Sequence, residues 1–405
     1  MSPPTSKLAI VGAGVAGCTL AAQLCRKGWQ VEDLSIWEAG RGAGGRTATR
    51  RSRLDPHLRI DHGASLFNIS LQPPPEVLQP LIAQGWVEAW KEPIAVINGA
   101  AELLPHNTPS SFFQGECFRG REGMEQLCWG LLALAGETLP THFGTLVREL
   151  DRDKGDWLLK NAAGETLVRA EALVLTGTLL AHPRSRLTFG WPAPPLQVLG
   201  EQLQDPALNH ALAAIAALRF EARSTLLLRL PPPEADAWQA LPFRLLLFDP
   251  SAQQRWGLWR VAIQPLPDGS CAVVAHSSAT FAGEHLGVFG SGSAMARQLG
   301  LPPPLEQEQQ VIRALSDSLD DALRPWLPQQ ACERGERQLM RWGAAFPVAP
   351  GLPPELRWNE DLRLGFCGDF MDGPGFGRVE GAMRSAEGLA ERLAHRIPST
   401  RSHLP

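Results

Sequence analysis

Leu8-Ala9-Ile10-Val11-Gly12-Ala13-Gly14-Val15-Ala16-Gly17 decides the fold of this 405-residue chain. Four consecutive apolar residues entering a G-x-G-x-x-G run read as a buried parallel strand that turns into a helix. Residues 18–27 then place Leu20, Ala21, Leu24 and Cys25 at helical spacing, and Gly28 supplies the stop. A second strand is expected over residues 31–37, and it delivers Glu38 at its end. Gly12 permits the tight turn, Gly14 lets the main chain approach a pyrophosphate, and Gly17 lets helix and strand pack closely. The helix N-terminus is thereby aimed at phosphates, and the Glu38 carboxylate stands ready for the ribose hydroxyls of an adenosine. The expectation is a dinucleotide-binding βαβ unit.

A second glycine-rich loop follows directly, Glu38-Ala39-Gly40-Arg41-Gly42-Ala43-Gly44-Gly45-Arg46, and after it Asp61-His62-Gly63-Ala64-Ser65-Leu66-Phe67. At the far end, Leu364-Gly365-Phe366-Cys367-Gly368-Asp369 reads as a short strand ending in Gly-Asp. Val379-Glu380-Gly381-Ala382-Met383-Arg384-Ser385-Ala386 then opens a helix through residue 393. These segments resemble the E-x-x-x-x-x-G-G-R, D-x-G-A and G-D…V-E-G-A-x-x-S-G motifs of the superfamily of FAD-dependent amine oxidases, phytoene desaturases and renalases, with Ala386 where glycine is usual.

The resemblance implies a non-covalently held FAD. In it, Gly44, Gly45 and Arg46 run beside the pyrophosphate and the flavin, and Gly63 and Ala64 pass close to the isoalloxazine ring. Arg41 and Arg46 can neutralise the pyrophosphate, and Asp369 can accept a hydrogen bond from a ribityl hydroxyl. The helix start near Val379 presents free N–H groups and a positive dipole end to the N1–C2=O edge, which becomes negative on reduction. Main chain near Val147 is expected to hold the adenine. Cys367 has two readings, an attachment point for the flavin or a buried strand cysteine.

Between the two ends, Gly120-Arg121-Glu122-Gly123-Met124 is similar to a G-x-x-G-M segment of the superfamily and starts a helix expected to reach residue 135. A strand is expected over residues 143–150, a hairpin over 156–160 and 165–169, and a return to the parallel sheet over 171–176. The remaining middle carries proline clusters, apolar strand candidates at 225–230, 243–248, 256–263 and 270–276, and helix candidates at 207–218 and 305–323. Such strands between turn signals imply an antiparallel sheet backed by helices. The expected fold is therefore α/β: a Rossmann-like FAD-binding domain of the two-dinucleotide-binding-domain type, interrupted by an antiparallel-sheet-plus-helices substrate domain. The expected limits are 1–69, 117–190 and 331–397 for the FAD-binding domain, 70–116 and 191–330 for the substrate domain, and 398–405 for a tail.

Within the superfamily the chain most resembles renalase-like proteins, because Arg341-Trp342-Gly343-Ala344-Ala345-Phe346-Pro347 is similar to their R-W-x-x-A-x-P segment, though Met340 stands where that pattern often has His. The chain has 13 Trp and no Tyr, so it lacks the tyrosine pair with which amine oxidases commonly hold a neutral amine. None of its lysines falls in the segments expected to face the flavin. Trp342 is a candidate substrate wall by stacking, with a place in an inter-domain core as the alternative. His62 is a candidate substrate hydrogen-bonding group, with a supporting or solvent-facing place as the alternative. A dihydronicotinamide donor suits these absences, because its ring nitrogen pushes hydride out without a general base. The expected activity is an FAD-dependent, oxidase-type oxidoreductase that takes hydride from a small or nucleotide-derived donor and passes electrons to O₂ or another acceptor. An amine oxidase or carotenoid-type desaturase is the alternative in the same chemistry, and a non-catalytic flavin-binding protein the alternative outside it.

Composition and charge bound the remaining possibilities. Hydrophobic residues are 44% and charged residues 20% of the chain, which excludes a disordered or coiled-coil class. A formal net charge of −4 gives no electrostatic reason to expect nucleic acid. No apolar run reaches the ~18 residues of a spanning helix, and the start lacks a charged leader with a small-residue cleavage site. Seven cysteines in no C-x-x-C pair fit a reduced, cytoplasmic protein with no structural metal. No H-E-x-x-H, G-x-S-x-G or P-loop is present.

Overall fold

The computed structural model describes residues 3–51, 57–104, 114–291, 300, 302 and 304–394; the expected tail at 398–405 lies outside them. Two large sheets organise the chain. In the first, the strand Thr5–Val11 lies between Leu34–Trp37 and Thr166–Leu175, parallel to both. Leu364–Phe366 extends the parallel set beside Thr166–Leu175, and Thr141–His142 does so beside Leu34–Trp37. Leu8, Ala9 and Ile10 are fully buried, as a parallel strand covered on both faces requires. The helix Val15–Arg26 packs on one face with Glu125–Ala135 and Val379–Ala394, sharing Leu20, Leu24, Leu127, Leu131, Met383 and Leu389 in one core. The α/β, Rossmann-like fold is the one read from Leu8–Gly17.

Two strand assignments differ. Residues 165–169 and 171–176 belong to a single strand, Thr166–Leu175, which pairs antiparallel with Asp156–Lys160 on one edge and parallel with Thr5–Val11 on the other. The strand expected over 143–150 is not formed; Thr141–His142 and Glu149–Asp153 flank a turn instead. Its main chain is spent elsewhere: the Gly144 N–H donates to the Gly40 carbonyl and the Thr145 N–H to the Glu38 carbonyl. Gly144 has φ +68°, a conformation that favours glycine and ends the extended run.

The second sheet runs in the order Glu336–Val348, Arg219–Leu230, Cys271–Ser277, Leu258–Pro265, Leu245–Phe248, Ile94–Ile97. Neighbours are antiparallel except the last pair. Alternation along these strands separates two faces. Leu226, Leu228, Val261, Ile263, Val273 and Ala275 pack against Val311, Ile312, Leu315 and Leu319 of the helix Leu305–Ala322. The opposite face, with Arg223, Leu227, Arg260, His276 and Trp342, turns to a cavity bordered by the first sheet.

Packing crosses the expected domain limits in three places. Glu336–Val348 falls in the 331–397 stretch expected for the FAD-binding domain, yet it is an edge strand of the second sheet. Pro195–Leu203 and Pro206–Ala217 fall in the 191–330 stretch, but Leu196, Leu199, Leu212 and Ile215 pack with Leu173 and Leu175 of the first sheet. Leu78–Ala83, within 70–116, buries Leu78 and Leu81 in the core of Val15–Arg26. Composition shifts set the expected limits, whereas strand pairing and apolar faces set the observed partners.

Candidate cofactor and substrate cavity

A cavity of about 1700 Å³ opens between the two sheets, larger than the roughly 300–1000 Å³ of an ordinary small-ligand pocket. Gly12, Gly14, Glu38, Arg41, Gly45, Arg46, His62, Gly63, Ala64, Val147, Trp342, Asp369 and Val379 all line it. Gly17 lies behind them, where a Cβ would stand 2.0 Å from the Gly12 carbonyl oxygen. Gly12 has φ +110°, and a Cβ there would meet Thr176 Oγ1 at 2.3 Å. A Cβ at Gly14, in contrast, meets nothing within 4 Å; that space is cavity. The helix that Gly14 opens has neither a side-chain cap nor an acid in its first turn, so its end offers N–H groups and positive potential to an anion.

The two glycine loops are joined at this point. Gly14 bridges Gly44, and the Gly44 N–H donates to the Ala13 carbonyl at 2.9 Å. Glu38 accepts from the Ala13 N–H at 2.8 Å and the Gly40 N–H at 2.6 Å. A carboxylate has about four acceptor positions, so two remain for ribose hydroxyls. The donor set, the open space at Gly14 and the acid at the end of Leu34–Trp37 fit a dinucleotide.

Arg46, expected beside the pyrophosphate and the flavin, lines the cavity paired with an acid from the far end of the chain. Its guanidinium forks onto Asp369, Nη1 to Oδ2 at 2.6 Å and Nη2 to Oδ1 at 2.5 Å, and Nη1 also donates to the Ala345 carbonyl at 2.9 Å. The Asp369 carboxylate raises the Arg46 pKa above its ordinary value. Asp369, expected to face a ribityl hydroxyl, is thus oriented by Arg46. Arg184, absent from the sequence reading, lines the same region; burial and the nearby Arg46 charge depress its pKa to about 10. Cys367 is fully buried in the helix-backed core, and burial pushes its thiol up to about 12, which suits the buried-cysteine reading.

His62 and Trp342 come together. Their rings stack with centroids 5.4 Å apart, and Trp342 Nε1 donates to the His62 carbonyl at 3.3 Å. A Cβ on Gly63 would lie 2.0 Å from the Arg46 carbonyl oxygen and 3.2 Å from the Trp342 ring, so only glycine passes between them. His62 is nearly buried, its Nδ1 has no hydrogen-bond partner, and burial lowers its pKa to about 4. It is a neutral ring at the cavity wall.

Sequence reading missed the second-sheet wall. Arg223 and Arg260 are 5% and 3% exposed, and both border the cavity. Trp259 stands between them, with the Arg223 and Arg260 guanidinium carbons 5.2 and 4.7 Å from its ring centroid. Arg260 Nη2 donates to the Gly63 carbonyl at 2.6 Å, and burial together with Arg223 depresses its pKa to about 9. His276 accepts from Arg260 Nε at 3.4 Å and is held neutral, its pKa lowered first by burial and then by the two arginines. Arg260 falls inside the strand expected over 256–263, whereas Arg223 precedes the one expected over 225–230 and joins it only in the observed strand Arg219–Leu230. Among the described residues no cluster of His, Cys, Asp or Glu suits a metal ion, and no helix is long and apolar enough to cross a membrane.

Comparisons with known proteins bear on the fold. Residues 10–79 match the NAD(P)-binding Rossmann-like domain family. A curated relative, the tRNA 5-methylaminomethyl-2-thiouridine biosynthesis bifunctional protein MnmC of Ralstonia nicotianae, is 23% identical over 219 residues, which are 44% of this chain and 31% of that protein. The chain thus matches less than a third of that relative's length. Among solved structures, cyclohexylamine oxidase from Brevibacterium oxydans superposes with a TM-score of 0.61 at 15% identity, covering 97% of this chain and 99% of that one. Wild-type putrescine oxidase bound to putrescine gives 0.58 at 12% identity, covering 98% and 100%. The chain therefore shares the fold of these oxidases over nearly its whole described length.

Proposed function

We propose that the protein is an FAD-dependent oxidoreductase that takes hydride from a small or nucleotide-derived donor and passes electrons to O₂ or another acceptor, with renalase-like use of dihydronicotinamide isomers as the specific reading. The observation that carries it is the convergence of both glycine loops, the Gly63–Ala64 passage, Asp369 and the Val379 helix start on one cavity. Bound there non-covalently, FAD supplies a two-electron acceptor at its ring. The chain's contribution is placement. Glu38 and the Gly14 turn hold the adenosine and pyrophosphate, Asp369 is kept in position by Arg46, and the Val379 end lends positive potential to the ring edge.

Trp342 and His62 form a stacked aromatic wall of the cavity, and neither Lys nor Tyr borders it among the described residues. His62 and His276 are both held neutral by burial. A donor that gives up hydride without prior deprotonation suits such a wall. A second reading, oxidation of an amine, draws support from the fold shared with cyclohexylamine and putrescine oxidases. Rapid mixing of the FAD-loaded protein with dihydronicotinamide isomers and with primary amines separates them. Bleaching of the flavin by the former is expected, and bleaching by amines alone would overturn the first reading in favour of the second.

A further inference from the structure

The geometry points to Arg223 and Arg260 as a binding site for an oxyanion of the substrate, a carboxylate or phosphate, held beside the Gly63 passage. This rests on the oxidoreductase reading for the word substrate, and on the cavity alone for the chemistry. Both guanidinium groups are almost completely buried, and both face the cavity rather than the helix-backed side of their sheet.

Their present partners do not balance them. Arg260 has no carboxylate contact among the described residues; it donates to the Gly63 carbonyl and the His276 ring. Arg223 meets Glu221 at 2.7 Å, but that carboxylate is 41% exposed, and the Arg223 Nε is buried with no hydrogen-bond partner. A buried cation lacking an acid is costly unless something supplies the charge. Burial depresses the pKa of both groups, and Glu221 offsets only part of this at Arg223.

The backbone is built for this placement. Register shifts interrupt the ladder between Glu221 and Arg223 on one strand and between Leu258 and Arg260 on another. Such bulges re-aim side chains, and here two of them fall beside the two buried arginines. Trp259 between the cations and Phe346, whose ring centroid is 5.3 Å from the Arg223 guanidinium carbon, add flat apolar surface. A planar guanidinium fork matches a carboxylate or phosphate edge in two parallel hydrogen bonds. The same charges repel a diamine, so a cationic substrate fits this wall poorly.

The test uses the FAD-loaded full chain and four probes that share a phenyl ring: benzoate, phenyl phosphate, benzamide and benzylamine. Binding is read by calorimetry and by quenching of tryptophan fluorescence. Benzoate or phenyl phosphate is expected to bind about 10-fold or more tightly than benzamide and benzylamine; which of the two wins tells carboxylate from phosphate. In Arg223→Gln, whose side chain hydrogen-bonds Ala222 and Glu221 rather than a glycine loop, that preference should fall to about twofold or less while flavin content is unchanged. Arg260→Lys, which keeps the charge but not the fork, should weaken the oxyanions alone. Equal or tighter binding of benzylamine, or a preference unaltered in Arg223→Gln, overturns the assignment. Failure to load FAD at all would instead strike the oxidoreductase reading, and the probe preference could still be measured on the unloaded chain.

Discussion

Arg46 and Asp369, 323 residues apart in sequence, meet as a bidentate ion pair on the wall of the cavity. Asp369 is 6% exposed while the Arg46 side chain is 42% exposed, so the buried acid depends on its partner more than the arginine does. The pair ties the second glycine loop to the end of the strand Leu364–Phe366, the two pieces between which the flavin is proposed to lie.

Removing the arginine strands the acid. Arg46→Ala leaves the Asp369 carboxylate buried without its fork, a loss on the order of 2–4 kcal/mol after allowance for the exposed arginine. Urea unfolding should show this loss, and FAD retention on gel filtration should fall with it. Arg46→Lys should recover part of the stability and little of the retention, because one ammonium cannot reproduce the two parallel bonds.

Gly14 and Gly17 should part company. A Cβ at Gly17 collides with the Gly12 carbonyl, and Gly17→Ala is expected to destabilise the fold by about 3 kcal/mol or to prevent its accumulation. A Cβ at Gly14 meets no protein atom, so Gly14→Ala should keep the melting temperature of the unloaded chain. It should nevertheless lose FAD affinity about 10-fold or more, because the new methyl group occupies space proposed for the pyrophosphate. Equal melting losses in both variants would contradict this division.

Acid should act on two adjacent residues in opposite senses. Burial lowers the folded-state pKa of His62 from 6.5 to about 4, so its contribution is complete above pH 6.5 and is lost as pH falls through 4. Burial raises that of Asp61 from 3.8 to about 6, so its contribution is present below pH 3.8 and is lost as pH rises through 6. His62→Gln should flatten the decline in stability between pH 6.5 and 4. Asp61→Asn, which still accepts from Thr49 and the Met124 N–H, should steepen it. Each change is on the order of 2–3 kcal/mol across the window by urea titration, and parallel pH curves for all three proteins would contradict it.

Trp342 offers a separate test of the substrate wall. Trp342→Ala should keep FAD content within about twofold while lowering the rate of flavin reduction about 10-fold or more, since donor positioning rather than cofactor binding is removed. Trp342→Phe, which keeps a ring against His62, should recover most of the rate.

The sequence made the nucleotide half legible because its demands are local. Gly12, Gly14 and Gly17 are fixed by backbone approach within one turn, and Glu38 by the length of one helix and strand. The middle was legible only as strands and helices. Where Arg223 and Arg260 meet depends on the pairing of Arg219–Leu230 and Leu258–Pro265 across Cys271–Ser277 and on two bulges. No local pattern announces either. The same holds for the Arg46–Asp369 pair: each residue sat in a recognisable segment, but that they would satisfy each other is a tertiary fact. Glu336–Val348 was assigned by its neighbours in sequence, whereas its register with Arg219–Leu230 puts Trp342 opposite Arg223.

The most direct measurement is titration of the purified full chain with FAD, followed by removal of free flavin and a visible spectrum. The account predicts a yellow protein holding FAD and chain in equal amounts, with Asp369→Ala much depleted. A colourless wild-type chain after this treatment, or an Asp369→Ala variant as yellow as the wild type, would contradict closure of the two chain ends around one flavin.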